Sequence, residues 1–451
     1  MRDIPFNPAK RFSNGGFSLV ELMVGIAISL IATIVIFQVF AVNESYKRAT
    51  TGGSDALQSG GFSAYALSRL IGAGGAGWTS TPGRVNAAGC ALRVYRGATQ
   101  LFGQSTSPYR IATALPAPFD AAIDFRITLA PALIIAGADN DTPDIIMVMA
   151  GNHSAMGRHN VVSSQGVNSI TLADNAVVDI NTSQDAAGNP QHDLLLAVDQ
   201  DAGAARGTDT TCDIAEADGV PATTTPFTIP SPISLTGANF SGPDRFTGTG
   251  TPNYYSRSLV VSNLGPIPVG SVATPTPPAP GTGPQFVVLG VGNDGTTPNA
   301  LLSLNLLTGY CPLAVAGTTC LADNTWVTQS LADNIVSIKA IYGVAADKAD
   351  PNVNSWELPT GTWAASTLSA SHDNLLRVRA IRLSVIARNA QPEKTADTSS
   401  AGEVGFSPAT FTLFGGTAAS MTVTNPDRHY RYKVFDITIP LRNMVLLSQN
   451  S

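Results

Sequence analysis

The chain has 451 residues, 13% of them charged, a formal net charge of −6 and no dense Lys/Arg cluster in its later part, which excludes a broad nucleic-acid footprint. The 42 glycines and 30 prolines, with abundant Ser, Thr, Asn and Ala, suit a β-rich extracytoplasmic protein with many turns and long loops. The length is ample for a real core in one or two lobes.

Residues 1–16 form a polar leader with Arg2, Lys10 and Arg11 against one acid, Asp3. Such a positive flank stays on the cytoplasmic side of an inserted helix. Residues 17–42 are apolar, lack proline and carry one charge, Glu21. As a helix they would extend about 39 Å, enough to cross a hydrocarbon core of about 30 Å. A secretory signal fits poorly, because the leader is long, the apolar run contains Glu21 and no A-x-A-like site closes it. A plain anchor also fits poorly, since an intramembrane acid costs about 2.5–3.5 kcal/mol at mid-bilayer, somewhat less near the end. A cut after Gly16 would supply a partner. The new amine at Phe17 of one subunit could pair with Glu21 of a neighbour, in apolar surroundings that screen the charges little.

The segment GFSLVELMVGIAISLI resembles the type IV prepilin motif, which type II secretion pseudopilins share. The resemblance implies cleavage between Gly16 and Phe17 by a prepilin peptidase, N-methylation of Phe17, and Glu21 as the acid that sets assembly register. It also implies an α+β fold: a long N-terminal transmembrane and stalk helix, then a largely antiparallel β-rich head.

Residues 43–77 read as an extracytoplasmic continuation of the helix, closed by the Gly-rich run 72–77. Gly52-Gly53 and Gly60-Gly61 mark an expected bend or break. Phe62, Tyr65, Ala66, Arg69 and Leu70 form a short stripe at helical spacing. The first part of the head spans residues 78–272, with strands expected at 145–149, 169–172, 194–198 and 258–261. A Pro-rich stretch, 273–284, reads as a loop or linker between lobes. The last part, 285–451, opens with strands at 286–291 and 301–307.

Four cysteines, Cys90, Cys212, Cys311 and Cys320, suggest two disulfides in an exported chain. Three pairings are possible. Cys311–Cys320 closes a short loop and leaves Cys90–Cys212, with stabilisations of roughly 3 and 5 kcal/mol in the chain-entropy model.

Two motifs invite chemistry and have simpler readings. Gly290–Gly295 fits G-x-G-x-x-G after an apolar strand, but Thr297-Pro298 follow where a helix is required, so a tight turn is expected. Asp139, Asp141 and Asp144 offer oxygens for a Ca²⁺ loop but lack the glycine and distal glutamate of an EF-hand, which favours a solvated turn. His153, His159, His192, His372 and His429 are scattered, and no nucleophile–base set can be named. The chain therefore reads as a non-enzyme without cofactor or metal.

Three patterns close the chain. Residues 335–344 (IVSIKAIYGV) form a long strand, and residues 376–388 (LRVRAIRLSVIAR) alternate as a half-buried antiparallel strand whose arginines line its wet face. Residues 430–443 (YRYKVFDITIPLRN) end the pattern as a final strand. This end resembles the PilW family of minor pilins. The resemblance implies a subunit that waits in the bacterial inner membrane with its head in the periplasm, then joins the surface pilus. Its partners would be the prepilin peptidase, other minor pilins, the major pilin and the inner-membrane assembly platform. It would enter a filament-priming complex near the pilus tip, with Glu21 placing it below the outermost position. Rival readings are a type II secretion minor pseudopilin, a tip adhesin or DNA-uptake pilin, and an anchored exported enzyme.

Overall fold

The computed structural model describes residues 18–78, 87–96, 99–102, 115–120, 123, 125–152, 159–165, 169–172, 180, 192–199, 211–217, 233–234, 259–266, 283–295, 297–307, 309–311, 325–392 and 407–448. It contains two compact units, Met1–Ser54 and Asp55–Ser451. Helix α1 (Leu19–Gly72) supplies the described part of the first unit and opens the second. It runs without interruption through both glycine pairs, where a bend or break was expected.

Packing explains the second pair. A Cβ on Gly60 would collide with the Phe435 ring and come within 2.9 Å of Ala387 Cβ, so only glycine lets the helix lie this close to the sheet. That contact offsets the roughly 1 kcal/mol a helical glycine costs. The buried stripe is correspondingly small in its middle: Ala56, Gly60 and Ala64 precede Leu67 and Ile71. Phe62 and Tyr65, expected on an apolar stripe, face outward at 54% and 65% exposure, because at 100° per residue both fall on the side of the helix away from Gly60, Leu67 and Ile71. The helix ends in the Gly-rich run, where Gly75 and Gly77 take φ of +85° and +82°.

The strands follow in chain order. β1 (Ala91–Arg96), β2 (Thr99–Phe102), β3 (Ala132–Ile135), β4 (Ile145–Ala150), β5 (His159–Gln165), β6 (Ser169–Leu172) and β7 (Asp193–Asp199) come first. β8 (Thr211–Glu216), β9 (Ile233–Ser234), β10 (Leu259–Pro266), β11 (Gln285–Gly292), β12 (Ala300–Asn305), β13 (Tyr310–Cys311) and β14 (Thr325–Trp326) come next. β15 (Gln329–Ala332), β16 (Ile335–Val344), β17 (Ser355–Glu357), β18 (Val378–Arg388), β19 (Thr410–Leu413), β20 (Met421–Thr424) and β21 (Tyr432–Pro440) complete them. The expected strands fall within a few residues of these bounds. The final one stops at Pro440, and Arg442–Ser448 form a short helix, α2.

Three sheets dominate the second unit. The first has eight strands in the order β2-β1-β8-β7-β10-β5-β6-β9, antiparallel except for the parallel β1–β8 pair. The second has the order β15-β12-β11-β4-β3 and the third β17-β16-β18-β21, both antiparallel throughout. The fold is thus α+β: an apolar N-terminal helix followed by a largely antiparallel, sheet-dominated head.

The Pro-rich residues 273–282 lie outside the described residues, but their flanks correct the expected lobe division. β4 precedes the stretch, β11 follows it, and the two are paired strands of one sheet, Ala150 opposite Gln285. One hydrophobic core joins α1 through Leu67 and Ile71 to residues of all three sheets, among them Leu196, Val288 and Leu383. The far face of the third sheet is covered as well. Ile341 and Ile386 pack under the β19–β20 hairpin with Phe411, Leu413 and Val423. β18 is therefore buried on both faces rather than half-buried as expected.

Cys90, just before β1, is bonded to Cys212 in β8, with Cα atoms 5.8 Å apart. The other expected pair, Cys311–Cys320, lies outside the residues whose side chains are described.

Candidate functional site

The first candidate site is the start of α1. The Ser18 side chain accepts from Val20 N–H at 3.3 Å, and Leu22 N–H donates to Ser18 O at 3.1 Å, so Ser18 caps the helix. Glu21 lies in the first turn, where the helix dipole favours an acid. Leu19–Glu44 is long and apolar enough to cross a membrane, with mean hydropathy 2.6. Its large apolar side chains all stand exposed, from Leu19 at 75% to Ile34 at 49%. The span's hydroxyls are satisfied within the helix: Ser29 Oγ donates to Gly25 O at 2.8 Å and Thr33 Oγ1 to Ser29 O at 2.7 Å. Glu21, Gly25, Ser29 and Thr33 therefore form one i, i+4 row, an acid heading small residues that let another helix approach closely. The acid stands out in the sequence, whereas the row emerges only once the segment is wound into a helix. Gly16 and Phe17 lie outside the described residues.

In the head, the three aspartates of the supposed Ca²⁺ loop separate. Asp139 Oδ1 accepts from Asp141 N–H, Thr142 N–H and the Thr142 hydroxyl at 3.0, 2.7 and 2.7 Å. The Thr142 hydroxyl, then its N–H, holds the Asp139 carboxyl below its usual 3.8. Asp141 accepts from Thr424 N–H at 2.6 Å. Asp144 does not belong to a solvated turn, as was expected. It is buried and paired with Lys339 Nζ at 2.9 Å, and it also accepts from Gly137 N–H at 3.0 Å and Ala340 N–H at 2.9 Å. Burial pushes the Asp144 carboxyl above 3.8, against the pull of the Lys339 charge. Beside it, the buried Tyr342 hydroxyl accepts from Ile134 N–H, and burial raises its pKa. Lys339 was the available signal: a lone lysine in IVSIKAIYGV requires a buried acid if the strand is internal.

The other motifs resolve into local structure. Gly290–Gly295 form the end of β11 and its turn into β12, with Gly295 at φ +92° and its N–H donating to Asn293 Oδ1 at 2.8 Å. His372 Nδ1 lies 2.9 Å from Ala88 O, His192 Nδ1 2.7 Å from Glu216, and His429 Nδ1 2.7 Å from Asp427. Among the described residues no group of three or more His, Cys, Asp or Glu is placed to hold a metal ion. The arginines of β18 are not a uniform wet face. Arg379 is 3% exposed and donates to the carbonyls of Asp350 at 2.7 Å, Lys348 at 2.8 Å and Leu376.

Comparison with known families bears on both ends of the chain. The prokaryotic N-terminal methylation motif matches residues 11–37, and the type IV pilus-assembly protein W family matches residues 308–443. Both ends of the chain thus support a PilW-like type IV prepilin. No curated protein and no solved structure matches it.

The two matches map cleanly onto the prepilin's elements. The first begins at Arg11, within the N-terminal polar stretch, and covers most of the apolar run of α1, including Glu21. The second covers β16, β17, β18 and β21, the whole sheet against which α1 packs, with the hairpin above it. The eight-stranded sheet is built from residues 91–266 and lies outside both.

Proposed function

We propose that the protein is a minor pilin of a type IV pilus, cut by prepilin peptidase between Gly16 and Phe17, N-methylated at Phe17 and incorporated near the pilus tip. The observation that carries this reading is the joint occurrence of the methylation motif at 11–37 and the PilW match at 308–443. Its chemistry is assembly rather than turnover. Before assembly the apolar helix holds the chain in the inner membrane with the head in the periplasm. After processing, the Glu21 carboxylate pairs with the Phe17 amine of a neighbouring subunit and sets register. A buried pair of this kind is strongly sensitive to loss of one partner, by about 3–5 kcal/mol. Other minor pilins, the major pilin and the assembly platform are the partners, and a subunit that keeps Glu21 sits below the outermost one.

Deletion of the gene tests the role. Surface pili should fall sharply and return on complementation; normal pili with failed protein secretion would replace the proposal with a secretion pseudopilin. Processing has a separate test. Gly16→Leu should leave the leader attached, and a mature N-terminus still at Phe17 would show that the cut lies elsewhere.

A further inference from the structure

β21 is the last strand of its sheet, and its inner hydrogen bonds fix which backbone groups face outward. Leu441 N–H donates to Arg379 O at 2.8 Å, and Asn389 N–H donates to Arg431 O at 3.0 Å. Both pairs lie on the register that sets Ala380 opposite Pro440 and Arg388 opposite Tyr432. Hydrogen-bonded pairs alternate along an antiparallel ladder. The odd-numbered residues of β21 therefore bond to β18, and Tyr432, Val434, Asp436 and Thr438 direct their N–H and C=O groups away from the sheet. Among the described residues no strand pairs with that edge.

An apolar margin runs beside it. Phe435 and Ile437 are half-buried on the α1 face of the strand. A Cβ on Gly61 would lie 4.0 Å from Phe435, and one on Gly72 would lie 3.8 Å from Ile439, so this flank of the helix follows the edge. At 100° per residue, Leu57 and Tyr65 share that flank with Gly61 and Gly72. They are 51% and 65% exposed. Natural edges are commonly blunted by lysine, proline or a bare charge. Here Lys433 and Pro440 stand at the two ends. The one charge between them, Asp436, is held by Arg382 through two hydrogen bonds of 3.0 and 2.6 Å.

We infer that the outer edge of β21 accepts an extended strand from a neighbouring pilin-class subunit, which adds a fifth strand to this sheet. The inference rests on the proposed filament role. Outward donors and acceptors repeated every second residue are complementary to an extended backbone. Apolar side chains at alternate positions of the incoming strand would cover Phe435, Ile437, Leu57 and Tyr65. The neighbour is pilin-class because the helix that carries Leu57 and Tyr65 also carries the exposed apolar run Leu19–Glu44, whose packing partners in a filament are like helices.

The test places a photoreactive benzoylphenylalanine at Val434 or Thr438 of the full-length chain in the producing cell. Val353, 37% exposed in the loop before β17, serves as control. Strong adducts at 434 and 438, to a subunit that itself begins with a prepilin-type helix, and weak adducts at 353 are expected. Val434→Pro and Thr438→Pro each remove an outward donor and leave the inner ladder intact, so each should lower adduct yield from the other site by roughly tenfold. If a proline variant unfolds, the cross-links of the unaltered backbone still decide. Equal labelling at 353 and at the edge, or adducts only with lipid or unrelated proteins, would overturn the inference. The filament role is read separately from sheared pili. A chain present in pili with an unlabelled edge sinks this inference alone. A chain absent from pili but cross-linked to secretion pseudopilins sinks the pilus role and leaves the edge standing.

Discussion

Lys339 and Asp144 are each only 3% exposed, and their pairing ties the loop before β4 to β16. Removing one partner strands the other's charge in the interior, at a cost of about 3–5 kcal/mol, whereas removing both is far milder. Lys339→Met should therefore unfold at much lower urea than the parent, and Asp144→Asn with Lys339→Met should recover most of the loss. The pH dependence has a definite sign. Burial already holds the Asp144 carboxyl above 3.8, and loss of the lysine charge raises it further. A carboxyl raised in the folded state contributes most below its unfolded value, and that stability is lost as pH rises through the folded value. The Lys339→Met deficit should be smaller at pH 4 than at pH 7; a deficit independent of pH would show that Asp144 is not what the lysine compensates. The pair was half legible in sequence. Lys339 stood out within its apolar strand, but Asp144 looked like one of three loop acids, because burial is a property of what packs over a loop. The place of Glu21, a lone acid in the first turn of an apolar helix, was legible, since that anomaly lies within its own segment.

At the scale of elements, strand positions were readable because short apolar runs between turn residues leave few alternatives. Burial and edges were not, because they depend on sheet order. β18 read as half-buried since its arginines alternate, and nothing local announces that Arg379 is enclosed by carbonyls of the Lys348–Asp350 loop. The same applies to the open edge of β21, which exists only because no described strand follows it in the sheet. The glycine pairs of α1 were judged by propensity alone, and packing reversed the judgement at Gly60. Gly60→Val should destabilise the head by about 1–3 kcal/mol or more through overpacking against Phe435 and Ala387. Gly53→Ala should not, as a Cβ there meets nothing within 4 Å. Thermal unfolding of the two variants distinguishes them; equal midpoints would show that the helix does not need the close approach at Gly60.

For the whole molecule, the part least legible in sequence is the eight-stranded sheet, which no family match covers. Its strands are short, and the order β1-β8-β7-β10 interleaves distant segments. The Cys90–Cys212 bond spans a sequence separation of 122 and staples the parallel β1–β8 pair. In the chain-entropy model a loop of that size stabilises by about 5 kcal/mol. Cys90→Ser with Cys212→Ser should lower the unfolding midpoint substantially, and the parent should show a comparable drop in reductant; unchanged midpoints would mean that the bond adds nothing to the sheet.

The pairing of β4 with β11 also governs the order in which the head can be completed. In the chain, β5 to β10 all come between these two neighbours. A polypeptide delivered amino end first presents the apolar β4 long before its partner arrives, with only β3 available beside it. Closure of this second sheet therefore comes late, after the intervening strands have emerged, and it is slow by virtue of its long-range contacts. Throughout that interval Ile145–Ala150 offers an unsatisfied apolar edge to any other chain in the same compartment.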